Sequence, residues 1–231
     1  MKKVTILNII KEICELQDAI FLNITLESVD VYLFLKDEYK KGNIKDNTVF
    51  QFVFRSYYRL DNAGLTDEFK KRYFELLADK QTDLKTILWD LYEFPTRRNL
   101  KAVQFSFATK LLHTLDNNKP IFDAEVARVI HESVTGGSAE EKINLCRNIY
   151  DDLIRIYSNL IKDKEIKKII SEFRKKFSVS AERMTDIKVL DFIVWSLGKL
   201  KKKKPVKRSK KQKWKEFGMA KKESKIKEML K

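Results

Sequence analysis

The side chains best suited to catalysis lie between positions 120 and 129, where an aspartate precedes the first turn of a predicted helix. Asp123 follows a proline and two large apolar residues, and helical spacing of apolar residues resumes after it. An aspartate here can be an N-cap, whose carboxylate accepts hydrogen bonds from the exposed N–H groups of the first turn. That role explains Asp123 alone, but not the whole arrangement around it. A carboxylate held near a substrate can instead stabilise a cation or deprotonate water.

The cysteines and histidines form no recognisable site. Cys14 and Cys146 have no second cysteine or histidine at metal-ligand spacing, and they are typical of thiols in a reducing compartment. His113 and His131 flank Asp123, but a Ser-His-Asp triad needs a nucleophile elbow, which is absent. No Walker loop or dinucleotide fingerprint occurs either. The sequence therefore predicts neither a metal nor a cofactor.

The segment around Asp123 resembles the helix-hairpin-helix superfamily of base-excision DNA glycosylases. That family places a catalytic aspartate at a helix start in the pattern P-x-D-x-x-V-x-R-V, which residues 120–129 follow with one extra residue before Asp123. Residues 107–112 occupy the position of the second hairpin helix. Residues 190–199 look like a closing core helix. The resemblance implies a helix-hairpin-helix glycosylase-like domain, with its hairpin region at about 97–130.

This resemblance implies that Asp123 is the catalytic carboxylate. Glycosylases cleave an N-glycosidic bond through an oxocarbenium-like transition state, after the base has been flipped into a pocket. Aromatic side chains would line that pocket, although ordinary core packing is the simpler explanation of each one. The candidates are Phe54, Tyr57, Tyr58 and Trp195.

The predicted hairpin departs from the family pattern. The family usually has L-P-G-x-G there, because glycines let backbone N–H groups approach a phosphate. Residues 103–107 contain neither glycine nor proline. Ser106, Thr109 and Lys110 are candidate substitute donors.

A second departure concerns the amine nucleophile of bifunctional members, a lysine about 18 residues before the aspartate. Phe105 holds that position here, and Lys110 and Lys101 lie 13 and 22 residues before Asp123. The resemblance therefore implies a monofunctional glycosylase that uses water. It implies no iron–sulfur cluster, since the cysteines are absent.

Further nucleic-acid contacts are predicted from charge and position. Two arginines lie four apart on a very apolar predicted helix; such residues face either a cleft or a structural partner such as Asp61 or Glu75. An asparagine lies in the turn where the family carries a DNA-probing side chain, and an arginine pair precedes the hairpin region. The complete predicted set is Arg55, Arg59, Asn62, Arg97, Arg98, Ser106, Thr109, Lys110, Lys201, Lys202, Lys203, Lys204, Lys207 and Arg208.

The elements that must position these residues are predicted to be all helical. Glycine (6) and proline (3) are scarce among 231 residues, which disfavours a turn-rich β-protein. Thr66 and Ser138 are predicted N-caps. The predicted helices cover about 4–22, 27–40, 48–60, 66–79, 84–92, 100–115, 124–133, 139–162, 165–176 and 185–200.

The positive charge is concentrated in the C-terminal tail. The net charge is +15, and residues 199–231 hold 16 Lys or Arg against 3 Glu, which leaves +2 for the rest. We expect a helical domain over 1–200 and a disordered basic tail over 201–231 that binds polyanions without sequence preference. No signal peptide or apolar run of spanning length is visible, so a cytoplasmic protein is expected, nucleoid-associated if bacterial, with no membrane contact.

Three functions fit these residues. The first is a glycosylase-like monomer acting on duplex DNA, with RNA as the alternative partner. The second is a non-catalytic nucleic-acid-binding protein on the same fold, which the altered hairpin favours. The third is a helical protein-interaction module, which the nearly neutral body favours.

Overall fold

The computed structural model describes residues 6–202, and these residues form eleven α-helices and no β-strand. The predicted all-α class is confirmed. The helices are α1 (Ile6–Glu15), α2 (Gln17–Leu22), α3 (Leu26–Lys41), α4 (Thr48–Tyr57), α5 (Asp67–Ala78), α6 (Leu84–Tyr92), α7 (Phe105–Leu115), α8 (Ala124–Ile130), α9 (Ala139–Leu160), α10 (Lys164–Phe177) and α11 (Asp186–Lys201).

Local sequence signals fix many of the helix starts. Thr66 accepts a hydrogen bond from the Phe69 N–H at 3.3 Å, so its predicted N-cap role is confirmed. Ser138 and Glu141 bond to each other's backbone N–H groups and form a capping box at the start of α9. These reciprocal bonds satisfy N–H groups that have no partner within the helix.

Two predicted helices differ most from those observed. The helix expected over 4–22 is divided at Leu16 into α1 and α2. The helix expected to begin at about residue 100 begins at Phe105, and the Leu100 carbonyl accepts a hydrogen bond from the Thr96 N–H at 3.0 Å. The Arg97 N–H donates to the Gly64 carbonyl at 2.8 Å, and Thr96 pairs with Leu65 in an isolated β-bridge. These bonds connect residues 96–97 to the turn before α5.

Helix α11 organises the half of the body that contains Asp123. Most of its residues are buried, and it packs against α2, α8 and α10. Its closest approach to α8 is at Gly198, where a Cβ atom would lie 2.2 Å from the Glu125 carbonyl oxygen. Only a glycine allows the two backbones to come so close. Glu125 is two residues after Asp123, so this contact sets the position of the aspartate.

Within residues 6–202, no helix is long and apolar enough to span a membrane. Four predicted nucleic-acid contacts lie outside the described residues, namely Lys203, Lys204, Lys207 and Arg208. The predicted disorder of the tail, apart from Lys201 and Lys202, also falls there.

Candidate active site

A cavity of about 220 Å³ opens in front of Asp123, between the start of α3, the end of α4, and helices α7, α8 and α11. Its lining contains four aromatic side chains, two carboxylates and three cations. The lining residues are Ser28, Tyr57, Tyr58, Arg59, Lys110, Ile121, Asp123, Val126, Lys188, Asp191, Phe192 and Trp195. The cavity therefore combines apolar walls with charged groups at a few points, as binding sites for small ligands do.

Asp123 is the N-cap of α8, and it also lines the cavity. Its Oδ1 accepts hydrogen bonds from the N–H groups of Glu125 at 2.9 Å and Val126 at 3.0 Å. Its Oδ2 accepts none from residues 6–202. Burial raises the pKa of the Asp123 carboxyl, although the Val126 N–H and the charge of Lys110 oppose the shift. Capping thus uses one oxygen and leaves the other available to a ligand.

The two apolar residues before Asp123 anchor its loop in the core. Ile121 and Phe122 are buried, and each backbone N–H is bonded by a side chain. The Phe122 N–H donates to Thr109 Oγ1 at 3.0 Å, and the Ile121 N–H donates to Asp191 Oδ1 at 3.2 Å. These bonds join the loop to α7 and α11 and hold Asp123 at the cavity wall.

Two further buried side chains hold the start of this loop. His113 Nδ1 lies 2.6 Å from the Lys119 carbonyl oxygen, and the Tyr150 hydroxyl donates to the Pro120 carbonyl at 3.2 Å. Burial lowers the pKa of His113 to about 3, assisted by the charge of Lys188, so its ring is neutral at pH 7. A neutral ring with its proton on Nδ1 donates to the Lys119 carbonyl, which makes His113 a structural residue.

Lys110 brings an amine to the same cavity. Its Nζ donates to the Tyr58 carbonyl at 3.2 Å and lies 4.9 Å from the centroid of the Phe107 ring. It forms no ion pair within residues 6–202. Burial lowers the pKa of Lys110 to about 8, even though the charge of Asp123 acts in the other direction. A neutral fraction of the amine, about one tenth at pH 7, follows from that value.

A buried ion pair in α11 faces the cavity beside Phe192. Lys188 Nζ lies 3.0 Å from Asp191 Oδ2, and the two side chains are only 4% and 7% exposed. The amine also lies over two rings, 4.6 Å from the centroid of Tyr32 and 4.7 Å from that of Phe192. Neither residue of this pair is among those predicted from the sequence. Its signal is two opposite charges three residues apart within an otherwise apolar helix.

Among the predicted aromatic residues, the structure brings three to the cavity and excludes one. Tyr57, Tyr58 and Trp195 line it. Phe54 is completely buried and packs against Phe50 and other rings of the core. The prediction that Phe54 lines the pocket is therefore wrong, because its side of α4 faces the interior.

Arg59 lies at the cavity on the turn that ends α4. It is exposed and has a left-handed backbone (φ 61°), a conformation usually taken by glycine at this position after a helix. The other arginine of the predicted pair lies one turn earlier, on α4, and has a different environment. Arg55 pairs with Asp61 at 3.4 Å, which is one of the two partners named from the sequence. Asn62 is exposed in the short 3-10 turn that follows.

The residues proposed as hairpin donors all lie on α7, but they have different environments. Thr109 is completely buried, and its hydroxyl serves Phe122, so it is not placed to bind a phosphate. Ser106 is half-buried on the first turn of α7. Arg97 and Arg98 are exposed, but the Arg97 Nε donates to the Leu65 carbonyl at 3.1 Å.

The two lysines at the described end of the chain also differ. Lys201 pairs with Glu12 at 2.5 Å, whereas Lys202 is exposed. Lys202 is therefore the better placed of the two to contact a polyanion.

Comparison with protein-family models, curated proteins and solved structures finds no match to this chain. Residues 6–202 contain no group of three or more His, Cys, Asp or Glu side chains that could hold a metal ion. The cavity and its residues are therefore the features of this chain that bear on its function.

Proposed function

We propose that this chain binds duplex DNA and hydrolyses the N-glycosidic bond of a damaged or modified base that has been flipped out of the helix. The observation that carries the proposal is the Asp123 carboxylate at the wall of an aromatic-lined cavity, with one oxygen fixed by the N-cap. An oxocarbenium-like transition state is stabilised by an anion placed in advance. Burial makes that anion more effective because fewer water molecules screen it.

The shape of the cavity supports a flipped base as its ligand. Its volume of about 220 Å³ is below the roughly 300–1,000 Å³ of pockets for drug-sized ligands, as expected for a single flat ring system. Tyr57, Tyr58 and Trp195 offer aromatic surfaces for stacking. Stacking on aromatic side chains compensates for the stacking that a flipped base loses in the duplex.

Charge near the cavity supports a nucleic-acid partner. Arg59 is exposed beside it and is available to a phosphate next to the flipped nucleotide. The lysine-rich tail adds affinity for any polyanion by counterion release. In this proposal the tail supplies general affinity, whereas the cavity selects the base.

Base release from a panel of duplexes tests the proposal. Under single-turnover conditions, we expect the native chain to free one class of damaged or modified base and Asp123→Asn to slow that release about 100-fold or more. Asparagine is also a good N-cap, so the helix start is retained.

Asp163→Asn provides a matched control. Asp163 caps α10 in the same way, with Oδ1 bonded to the N–H groups of Glu165 and Ile166 at 2.9 and 3.2 Å, and it does not line the cavity. We expect this variant to keep the native rate. Equal losses in both variants would mean that Asp123 acts only as a helix cap.

A second candidate function is nucleic-acid binding without catalysis. The observation that favours it is the connection between α6 and α7, residues 93–104, which contains no glycine and uses the Arg97 side chain for an internal hydrogen bond. Salt-sensitive duplex binding with no base release from any member of the panel would select this function.

A further inference from the structure

A second cavity, of about 150 Å³, lies between α3, α7 and the end of α4. It shares the Tyr58 side chain with the cavity in front of Asp123, but neither Asp123 nor Lys110 lines it. Its apolar walls include Leu35 and Phe54, which are both buried. An engineered apolar cavity of roughly the same size holds benzene, so this space is large enough for a single aromatic ring.

Two side chains that line this second cavity carry a buried polar atom with no hydrogen-bond partner within residues 6–202. These atoms are the Tyr32 hydroxyl oxygen and His113 Nε2, and the two side chains are 3% and 0% exposed. Their rings are neighbours, with centroids 5.8 Å apart. Buried polar atoms in folded proteins are nearly always hydrogen-bonded, so two unpaired ones at one cavity indicate that it receives a polar group.

The chemistry of that polar group follows from the state of the two side chains. Because His113 Nδ1 donates its proton to the Lys119 carbonyl, Nε2 holds a lone pair and is an acceptor. Burial lowers the pKa of His113 to about 3, which keeps the ring neutral at pH 7. Burial raises the pKa of the Tyr32 hydroxyl, which therefore keeps its proton and can donate it. A hydroxyl group can both donate to Nε2 and accept from Tyr32.

Water alone suits the second cavity poorly. About five water molecules would fill it, at roughly 30 Å³ each, and a buried water needs two to four polar partners. Leu35, Phe54 and the ring of Tyr58 offer none. An aromatic ring that carries one hydroxyl group would cover these apolar walls and still reach the unpaired atoms.

Two lysines lie at the more exposed part of the second cavity. Lys36 is half-buried, and its Nζ donates to the Arg183 carbonyl at 2.6 Å, whereas Lys40 is exposed. Neither amine forms an ion pair within residues 6–202. Their positive charges favour an anionic group on the part of a ligand that faces away from Tyr32 and His113.

We propose that the second cavity binds a small aromatic acid, a single ring with a hydroxyl group at one end and a carboxylate at the other. The hydroxyl group pairs with Tyr32 and His113 Nε2, and the ring packs against Phe54. The carboxylate lies near Lys36 and Lys40. This site takes no part in the proposed base release, so the inference does not rest on that function.

Titration calorimetry of the full-length chain without DNA tests the proposal, with 4-hydroxybenzoate as the probe. We expect a dissociation constant below about 1 mM, within the range open to a ligand of this size. Benzoate lacks the hydroxyl group, and 4-hydroxybenzyl alcohol lacks the carboxylate. Each should bind at least about threefold more weakly than the probe, since each loses one polar contact.

Tyr32→Phe removes the hydroxyl group alone, and no hydrogen bond within residues 6–202 is lost with it. We expect the affinity for 4-hydroxybenzoate to fall about 3–10-fold, and the affinity for benzoate to stay at its native value. Tyr157→Phe is the matched control. The Tyr157 hydroxyl is also buried and unpaired, but Tyr157 does not line the second cavity, so this variant should bind the probe as the native chain does.

Nuclear magnetic resonance of the imidazole nitrogens shows where the probe binds. The chain contains only two histidines, His113 and His131, and His131 is exposed and does not line the second cavity. In the chain labelled with ¹⁵N-histidine, 4-hydroxybenzoate should shift the signal of His113 Nε2 and leave those of His131 in place. His131→Asn assigns the signals, since asparagine tolerates the left-handed backbone at that position.

The proposal requires both the loss of affinity in Tyr32→Phe and the shift of the His113 signal. If either fails while the probe binds, the probe occupies another part of the chain and the proposal is overturned. Absence of binding at millimolar probe would overturn it as well. None of these outcomes depends on base release, so the proposed function stands or falls separately.

Discussion

The Lys110 amine is solvated less well in the folded chain than it would be in water. Its pKa of about 8 in the folded chain lies below the value of about 10.4 in an unfolded chain. The unfolded state therefore binds this proton more tightly. The resulting penalty on folding is complete below pH 8, at about 3 kcal/mol, and disappears as the pH rises through 10.4. The folded chain therefore holds the charged form of Lys110 at a cost in stability.

Lys110→Met should therefore raise the free energy of unfolding at pH 7, by about 1–3 kcal/mol, because an apolar chain replaces a desolvated cation. The gain should shrink at pH 10, where the native amine is largely neutral. Urea unfolding at both pH values measures this.

Lys188→Met is the opposing control for that experiment. It removes one partner of a buried pair and leaves Asp191 without its cation, so it should lower stability by about 3–5 kcal/mol. Destabilisation by Lys110→Met at pH 7 would contradict the view that Lys110 is held at a cost.

At the scale of elements, the contact between α8 and α11 determines where Asp123 lies. Gly198 is the point of closest approach, and the Glu125 backbone occupies the space that any side chain would need. The Glu125 N–H donates to Asp123 Oδ1, so a displacement of Glu125 reaches the carboxylate directly.

Gly198→Ala should separate the two helices, because its methyl group would lie 2.2 Å from a backbone oxygen that cannot rotate away. We expect a loss of about 1–3 kcal/mol in unfolding free energy, the usual cost of overpacking, together with slower base release. Thermal unfolding and single-turnover kinetics measure the two effects.

Leu200→Ala, at a partly exposed position of the same helix, should change neither quantity appreciably. A Gly198→Ala protein with native rates and stability would show that α8 does not depend on this close packing.

The same elements show which features of the fold and the site can be predicted from the sequence. The caps at Thr66 and Ser138 were predictable because capping is local, involving a side chain and N–H groups within three residues. The bond from Arg97 to Gly64 before α7 was not, since it joins residues 33 positions apart. Asp123 was found from its local pattern. Lys110 was singled out only as a phosphate donor, and Lys188 and Asp191 were missed, because only tertiary packing shows that they meet at one cavity.

At the scale of the whole molecule, the positive charge and the cavity are in different parts of the sequence. Residues 1–198 carry a net charge of only +2, and within the described part many cations are paired, as Arg72 is with Asp90 at 2.6 Å. Most of the net positive charge therefore belongs to the tail. We expect total affinity and the choice of base to be separable properties of the chain.

Four substitutions in the full-length chain test this separation: Lys203→Gln, Lys204→Gln, Lys207→Gln and Arg208→Gln together. If all four residues contact phosphates, the slope of log affinity against log salt should become shallower by about 3–4, at roughly 0.9 per contact. The preference for the damaged over the undamaged duplex should be unchanged, because in the proposed function the tail residues contact only DNA phosphates. Fluorescence anisotropy on both duplexes, over roughly 50–200 mM salt, gives both quantities.

The control for this variant removes the same number of charges from the helical body. Four exposed lysines of α10, Lys164, Lys167, Lys168 and Lys175, are replaced by glutamine. Net charge then falls equally in the two proteins, and only the location differs. If the tail is the DNA-binding element, the α10 variant keeps nearly the native slope, since charges that do not contact phosphates release few counterions. An equal change of slope in both variants would mean that net charge alone governs binding, and that the tail is not a specific point of attachment.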